Sequence, residues 1–281
     1  MTPSATTRKA LLLAVIYVFV HSAWGQEEHE FEYTTIDGNR IAWSCEGDGK
    51  PTVALIAGGG LDAHNSFGRI YHNYEGPGRI CMYDRAGMGS SDFLDPRTRS
   101  LKDLSSEFHE LIQQEAWGDV VLVAHSFGGF VARAVASDYP NEVLGILFLD
   151  AEHEDWVPRL QAEMNPDDWS IMERILDWNT RTFHEDFIEA QEAVRNTTLP
   201  EDLPITVISR GIPHVQIRLE GMSYRGIDLF DGEHNVLQAR LAHLSWNSEH
   251  RIAHYSSHMI NDFDPWLVIE EINLLVSRLN D

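Results

Sequence analysis

Five largely apolar runs, residues 52–57, 79–83, 119–124, 144–149 and 204–209, recur along the chain, and helical stretches separate several of them. A short run with little polar alternation is a strand covered on both faces. Strands that alternate with helices stack into a parallel sheet with helices on both sides, so the pattern predicts an α/β fold. Residues 31–36 and 40–45, joined at Asp37-Gly38, read as an opening hairpin. Residues 101–116 repeat Leu101, Leu104, Phe108, Leu111 and Ile112 at helical spacing, and 130–139 read as a helix stopped by Pro140. After 204–209 a Gly-rich loop leads to a helix from about 234 to 244 and a last strand at 251–255. Asp264 then caps a closing helix with Pro265 at its first position and Trp266, Ile269, Ile272, Val276 and Leu279 as its stripe.

The rhythm breaks between 151 and 203, where 14 Asp and Glu face four Arg and helical stretches carry Trp156, Trp169 and Trp178. This segment reads as a helical lid inserted into one catalytic domain formed by 26–150 and 204–281. Residues 1–25 stand apart: they hold no acid, two bases at Arg8 and Lys9, and the apolar run 10–20. That is the layout of a secretory signal with cleavage before Gln26, and the run is too short to cross a bilayer as a helix. The expectation is a secreted or periplasmic protein without stable membrane insertion once the signal is removed.

A formal charge of −23 makes nucleic acid a poor partner. An oxidising compartment would permit Cys45 and Cys81 to pair, but two buried thiols fit the sequence equally well. Asn196-Thr197-Thr198 is a glycosylation sequon that matters only in a eukaryotic host and at an exposed site. No H-E-x-x-H or paired-cysteine spacing occurs, which argues against a metal mechanism.

A serine hydroxyl needs an exposed position, a base and oxyanion donors before it can attack a carbonyl. Ala124-His125-Ser126-Phe127-Gly128 lies between an apolar strand and a helix, with Ala where the G-x-S-x-G pattern has its first glycine. A sharp turn there lifts Ser126 above the sheet, so Ser126 is the candidate nucleophile. Downstream of Gly58-Gly59-Gly60 stands Asp84-Arg85-Ala86-Gly87-Met88-Gly89-Ser90-Ser91-Asp92. In this order, across roughly residues 31–281, the chain resembles the α/β-hydrolase superfamily in its serine esterase and peptidase-like branch.

The resemblance implies a mostly parallel eight-stranded sheet with helices on both faces and an inserted helical lid. It implies oxyanion donors at the N–H of Gly60, or Leu61, and at the N–H of Phe127. The family's usual His before the glycine is absent. The base is expected on the loop after the last strand, where Ser256-Ser257-His258-Met259-Ile260 offers His258, while His250 and His254 read as structural. His125 is expected to shape the turn at the nucleophile. The acid's usual place, after 204–209, holds Arg210-Gly211-Ile212-Pro213 and no carboxylate. Some members place the acid at the end of the strand after the nucleophile helix, where Asp150 stands. Asp228 and Asp231, read as lying on the loop after the later strand, are the alternatives, and Glu152, Glu154 and Asp155 read as the lid entrance. The implied activity is cleavage of a small carboxylic ester through an acyl-enzyme, with a small-molecule substrate and no cofactor. A peptidase or amidase of iminopeptidase-like type, and a non-catalytic ligand-binding protein using the same pocket, are the competing readings.

Overall fold

A computed structural model describes residues 30–94, 96–214 and 221–280. The expected signal at 1–25 and its cleavage point therefore lie outside the described residues. Eight strands among these residues form one sheet: β1 (Glu32–Ile36), β2 (Asn39–Gly47), β3 (Thr52–Ile56), β4 (Arg79–Tyr83), β5 (Val120–His125), β6 (Val143–Leu149), β7 (Ile205–Arg210) and β8 (Ser248–Ala253). Their order is β1-β2-β4-β3-β5-β6-β7-β8. Only the β1/β2 and β2/β4 pairs are antiparallel. The helices are α1 (Ala63–Tyr71), α2 (Leu101–Gln114), α3 (Gly128–Asp138), α4 (Trp156–Glu163), α5 (Pro166–Phe183), α6 (Phe187–Val194), α7 (Tyr224–Leu241), α8 (Ile260–Phe263) and α9 (Pro265–Ser277).

The unbroken apolar runs have a simple cause. Val53 and Leu55 of β3, Val121 and Val123 of β5, and Leu147 and Leu149 of β6 pack under α1 and α9. Their alternates Ala54, Ile56, Leu122, Ala124, Ile146 and Phe148 pack under α2 and α3. With period 2 and a helix layer on each side, both sets must be apolar. Ser100 opens α2 in a capping box with Asp103, and Asp264 caps α9 ahead of Pro265. Cys45 and Cys81 face each other in the β2/β4 register with Cα atoms 4.1 Å apart and are joined by a disulfide.

Between β6 and β7, helices α4, α5 and α6 divide their loyalty. Ala190 and Val194 of α6 join the main core, whereas Trp156, Val157, Leu160, Ile171, Met172 and Leu176 of α4 and α5 form a separate cluster with Ile227, Phe230 and Leu237 of α7. Helix α7 starts ten residues before the expected 234, because Ser223 caps it by accepting the Gly226 N–H. Gly226 and Gly232, which read as loop residues, are helical. Gly226 is small because Asp168 and Met222 press on it, a Cβ there lying 2.6 Å from Met222 Cγ. Asp228 and Asp231 consequently lie on a helix and not on a loop.

Candidate active site

Ser126 stands where β5 turns into α3, with φ of 53°, a left-handed conformation that costs a non-glycine residue energy. Main-chain bonds hold it there: the Ser126 N–H donates to Leu149 O and the Glu152 N–H donates to Ser126 O, each at 3.1 Å. The turn also demands small neighbours. A Cβ on Gly128 would lie 2.6 Å from Ile56 O, and one on Gly129 would lie 2.7 Å from Ala151 Cβ.

The structure brings Ser126, His258 and Asp150 into one hydrogen-bonded chain. Ser126 Oγ lies 3.0 Å from His258 Nε2, and His258 Nδ1 lies 2.7 Å from Asp150 Oδ2. Because an ionised carboxylate only accepts, Nδ1 carries the proton and Nε2 is free to accept from the serine hydroxyl. Burial pushes the imidazole down to about 4, against the opposing hydrogen bond from Asp150. It is therefore a neutral base at neutral pH.

Asp150 ends β6 in a left-handed conformation, φ 44°, and is fully buried. Its Oδ1 accepts the Arg210 main-chain N–H and His234 Nε2–H, both at 3.0 Å, and its Oδ2 accepts Arg210 Nη1–H at 2.6 Å. Burial would raise this carboxyl, but His234 and Arg210 outweigh it and hold it well below the ordinary carboxylate range. His234 is itself pushed down by burial, so its contribution is a hydrogen bond and the countercharge comes from Arg210. Arg210 in turn donates to Asp231 Oδ1 at 2.8 Å, which also accepts the His214 N–H at 2.9 Å. Asp231 thus backs Arg210 without contacting His258, and Asp228 is exposed on α7.

His125 shapes more than its own turn: its Nε2–H donates to His258 O at 2.9 Å, tying the β5 end to the loop that carries the base. His214 adds a ring 5.0 Å from that of His258. His125 is buried and His214 half-buried, and desolvation pushes both down, His125 to about 4 and His214 to about 3. His250 bonds Ser209 Oγ at 2.9 Å on the sheet, and His254 is exposed. Glu154 pairs with Arg133, and Asp155 pairs with Arg195 and Arg240. Glu152 keeps Oε2 buried without a partner, and burial together with the nearby Asp150 pushes it up to about 8. It is a neutral acid at neutral pH.

The glycine loop lies against the serine turn, since a Cβ on Gly58 would sit 3.3 Å from Ser126 Cβ and one on Gly59 would sit 3.4 Å from Phe127 Cβ. Two of its N–H groups are engaged: Gly60 N–H donates to Glu185 Oε2 and Leu61 N–H to Gly58 O, both at 3.3 Å. The N–H groups of Gly59 and Phe127 have no hydrogen-bond partner among the described residues. Arg85 locks the loop from behind, donating to Ala57 O and Gly58 O at 2.7 Å each. The Asp84 side chain accepts from the N–H groups of Ala63 and Ser90, and Gly89 is required because a Cβ there would meet Asp84 Oδ2 at 2.1 Å.

Three residues of this site were not singled out from sequence: His234, Glu185 and the cation Arg210 as partner of Asp150. The one available signal was a cation, Arg210, ending β7 where the resemblance led to the expectation of an acid.

The sequence profile of the alpha/beta hydrolase family matches residues 18–263. A pimeloyl-[acyl-carrier protein] methyl ester esterase of Yersinia enterocolitica is 25% identical over 133 residues, 44% of this chain and 47% of its own. A haloalkane dehalogenase of Sphingobium indicum is 30% identical over 128 residues, 43% of this chain and 42% of its own. The chain spans less than half the length of the curated relatives it matches. Among solved structures, mouse alpha/beta hydrolase domain-containing protein 10 superposes with a TM-score of 0.64 at 15% identity, covering 89% of this chain and 100% of that one, a likeness of fold.

Proposed function

Because the chain belongs to the alpha/beta hydrolase family, we propose that it is a serine hydrolase that cleaves a small carboxylic ester through an acyl-enzyme. One observation carries the reading: the chain from Ser126 Oγ through His258 to Asp150, with spacings of 3.0 and 2.7 Å, at a strained turn. Ser126 attacks the carbonyl while His258 Nε2 takes its proton. The imidazolium, stabilised by Asp150, then protonates the departing alkoxide. Water repeats the sequence on the acyl-enzyme and returns Ser126.

The oxyanion donors in this reading are the N–H groups of Phe127 and Gly59. Gly60 was the expected donor, but its N–H is directed to Glu185, which shifts the role one residue back. A serine at the turn separates the reading from dehalogenation, in which a carboxylate attacks carbon.

Ester is preferred to peptide because, among the described residues, the acids expected at the lid entrance offer no free carboxylate for a substrate amine. Glu152 is protonated at neutral pH, and Glu154 and Asp155 are paired with arginines. The reading extends to a lid formed by 151–203, with α7 completing its apolar cluster. It also extends to a secreted or periplasmic location, supported by the character of residues 1–25 and by the Cys45–Cys81 disulfide.

Initial rates with p-nitrophenyl acetate, butyrate and octanoate, set against aminoacyl p-nitroanilides, test the substrate class. We expect kcat/KM for the best ester to exceed that for the best anilide by at least about 100-fold, some 2.7 kcal/mol of transition-state discrimination. Preference for an anilide would replace the ester reading with the peptidase one.

A further inference from the structure

The segment between β6 and β7 reaches the glycine loop through the carboxylate of Glu185 and the ring of Phe183. His184 ends α5 with φ of 56° and turns the chain inward. The following backbone is pinned to the loop ahead of α2, since Arg99 N–H donates to His184 O at 2.8 Å and Asp186 N–H to Arg99 O at 3.4 Å. Glu185 is thereby driven into the interior at 3% exposure. Its Oε1 accepts from Arg85 Nε at 2.6 Å and Arg99 Nη2 at 3.3 Å. Its Oε2 accepts from Arg85 Nη2 at 3.2 Å and from Gly60 N–H at 3.3 Å.

Charge balance does not require the last of these bonds. Arg85 and Arg99 already have Glu185 and Glu107 as partners, Arg99 lying 3.5 Å from Glu107. The contact with Gly60 concerns the loop. Three consecutive glycines have little conformational preference of their own, so their orientation has to be imposed from outside. Arg85 fixes the carbonyls of Ala57 and Gly58, and Glu185 fixes the N–H of Gly60. The ring of Phe183 covers Gly60 so closely that a Cβ there would lie 2.4 Å from it.

We propose that Glu185 is a positioning residue: by accepting the Gly60 N–H it fixes the Gly59–Gly60 peptide, and with it the turn on which Gly59, whose own N–H shares a plane with the Arg85-held Gly58 carbonyl, presents the oxyanion donor; it thereby couples the inserted helices to the acylation rate. The proposal rests on the serine hydrolase reading above. With the Gly60 N–H released, Gly59 would be held on its Gly58 side only and its N–H could drift from the serine, and a lost oxyanion donor costs about 100- to 1,000-fold in turnover.

Glu185→Gln and Glu185→Met separate positioning from mere support. Both remove the charge and both keep roughly the volume, but only Gln retains an oxygen to accept the Gly60 N–H. The full chain of each would be assayed with p-nitrophenyl butyrate and followed by thermal unfolding and by the rate of fluorophosphonate labelling. We expect both to lose similar stability. In the Met variant kcat and labelling rate should fall about 10- to 100-fold with KM within about 3-fold, and in the Gln variant kcat should stay within about 5-fold of the parent. Equal loss of kcat in the two variants, or an unchanged kcat in the Met variant, overturns the proposal. Arg99→Met weakens the charge cluster without touching Gly60. It should lose stability and keep kcat, and a folded Arg99→Met protein that loses kcat tenfold overturns the proposal even if Glu185→Met does not fold. A parent protein with neither turnover nor labelling at Ser126 refutes the hydrolase reading itself and this proposal with it, a result distinct from any variant-specific outcome.

Discussion

Two buried charge clusters flank Ser126, and they are wired in opposite senses. On the side of the base, a carboxylate, Asp150, faces His258 and the cation Arg210 stands behind it, held in turn by Asp231. On the side of the glycine loop, a cation, Arg85, faces the main-chain carbonyls and the carboxylates Glu185 and Glu107 stand around it and Arg99. The first arrangement fixes a tautomer and can respond to a developing imidazolium. The second only fixes a backbone. Charge at the reacting groups does chemistry, whereas equal burial one step removed supplies geometry.

The sharpest way to break that contrast is to neutralise the carboxylates of the base side in turn. Asp150→Asn should lower turnover by about ten-thousandfold, because an amide can hold the wrong imidazole tautomer. Asp231→Asn, at a carboxylate that accepts from Arg210 and the His214 N–H, should cost less than about tenfold. Steady-state kinetics on folded protein decide it, and a larger loss for Asp231→Asn would make the assignment of the acid wrong. On the loop side, Arg85→Met should cost about 3–5 kcal/mol in urea unfolding by stranding Glu185, and the activity it loses should accompany that loss of stability as the loop loosens. A variant that keeps full stability but loses activity would show that cluster to be chemical after all.

A smaller effect concerns pH. His258 must be neutral to accept a proton, and burial sets it at about 4 against an ordinary 6.5. The acid limb of kcat/KM should therefore fall well below pH 6.5, and a midpoint at or above that value would contradict the buried base. Stability should behave differently over the same range. His125, His214, His234 and His258 are all pushed down in the fold. The unfolded chain takes up their protons first, so their contribution to stability is full above pH 6.5 and erodes from there toward pH 4.

The smallest effect expected is a gain. Glu152 is protonated in the fold up to about pH 8 but ionises above 4.5 when unfolded. Its contribution is therefore full below 4.5 and is lost as pH rises through 8. Glu152→Gln should add on the order of 2 kcal/mol at pH 8, about 5 °C in melting temperature, and little at pH 4.5. A gain independent of pH would mean that the carboxyl is not held neutral.

How much of this was legible in the sequence follows from how far each interaction reaches. The strands and the serine turn are local, and runs such as 119–124 leading into Ala124-His125-Ser126 declare themselves. Asp150 was readable as a strand end, and His258 as the histidine between the last strand and Pro265. Their partners were not. Arg210 lies 60 residues from Asp150, His234 84, and Glu185 100 from Arg85. No periodicity links such positions. Helix α7 was started late because Gly226 looked like a loop residue, when the reason for it was the pressure of Asp168 from another helix. The engagement of the Gly60 N–H was hidden for a similar reason, since what accepts it comes from the segment between β6 and β7.

The most direct test of the account is covalent. The protein would be treated with a fluorophosphonate, read by intact mass and peptide mapping, alongside Ser126→Ala and His258→Ala. The account predicts one adduct, on Ser126, absent from the first variant and slowed by orders of magnitude in the second. A well-folded protein that takes no label, or one labelled elsewhere at the same rate in all three forms, would contradict it.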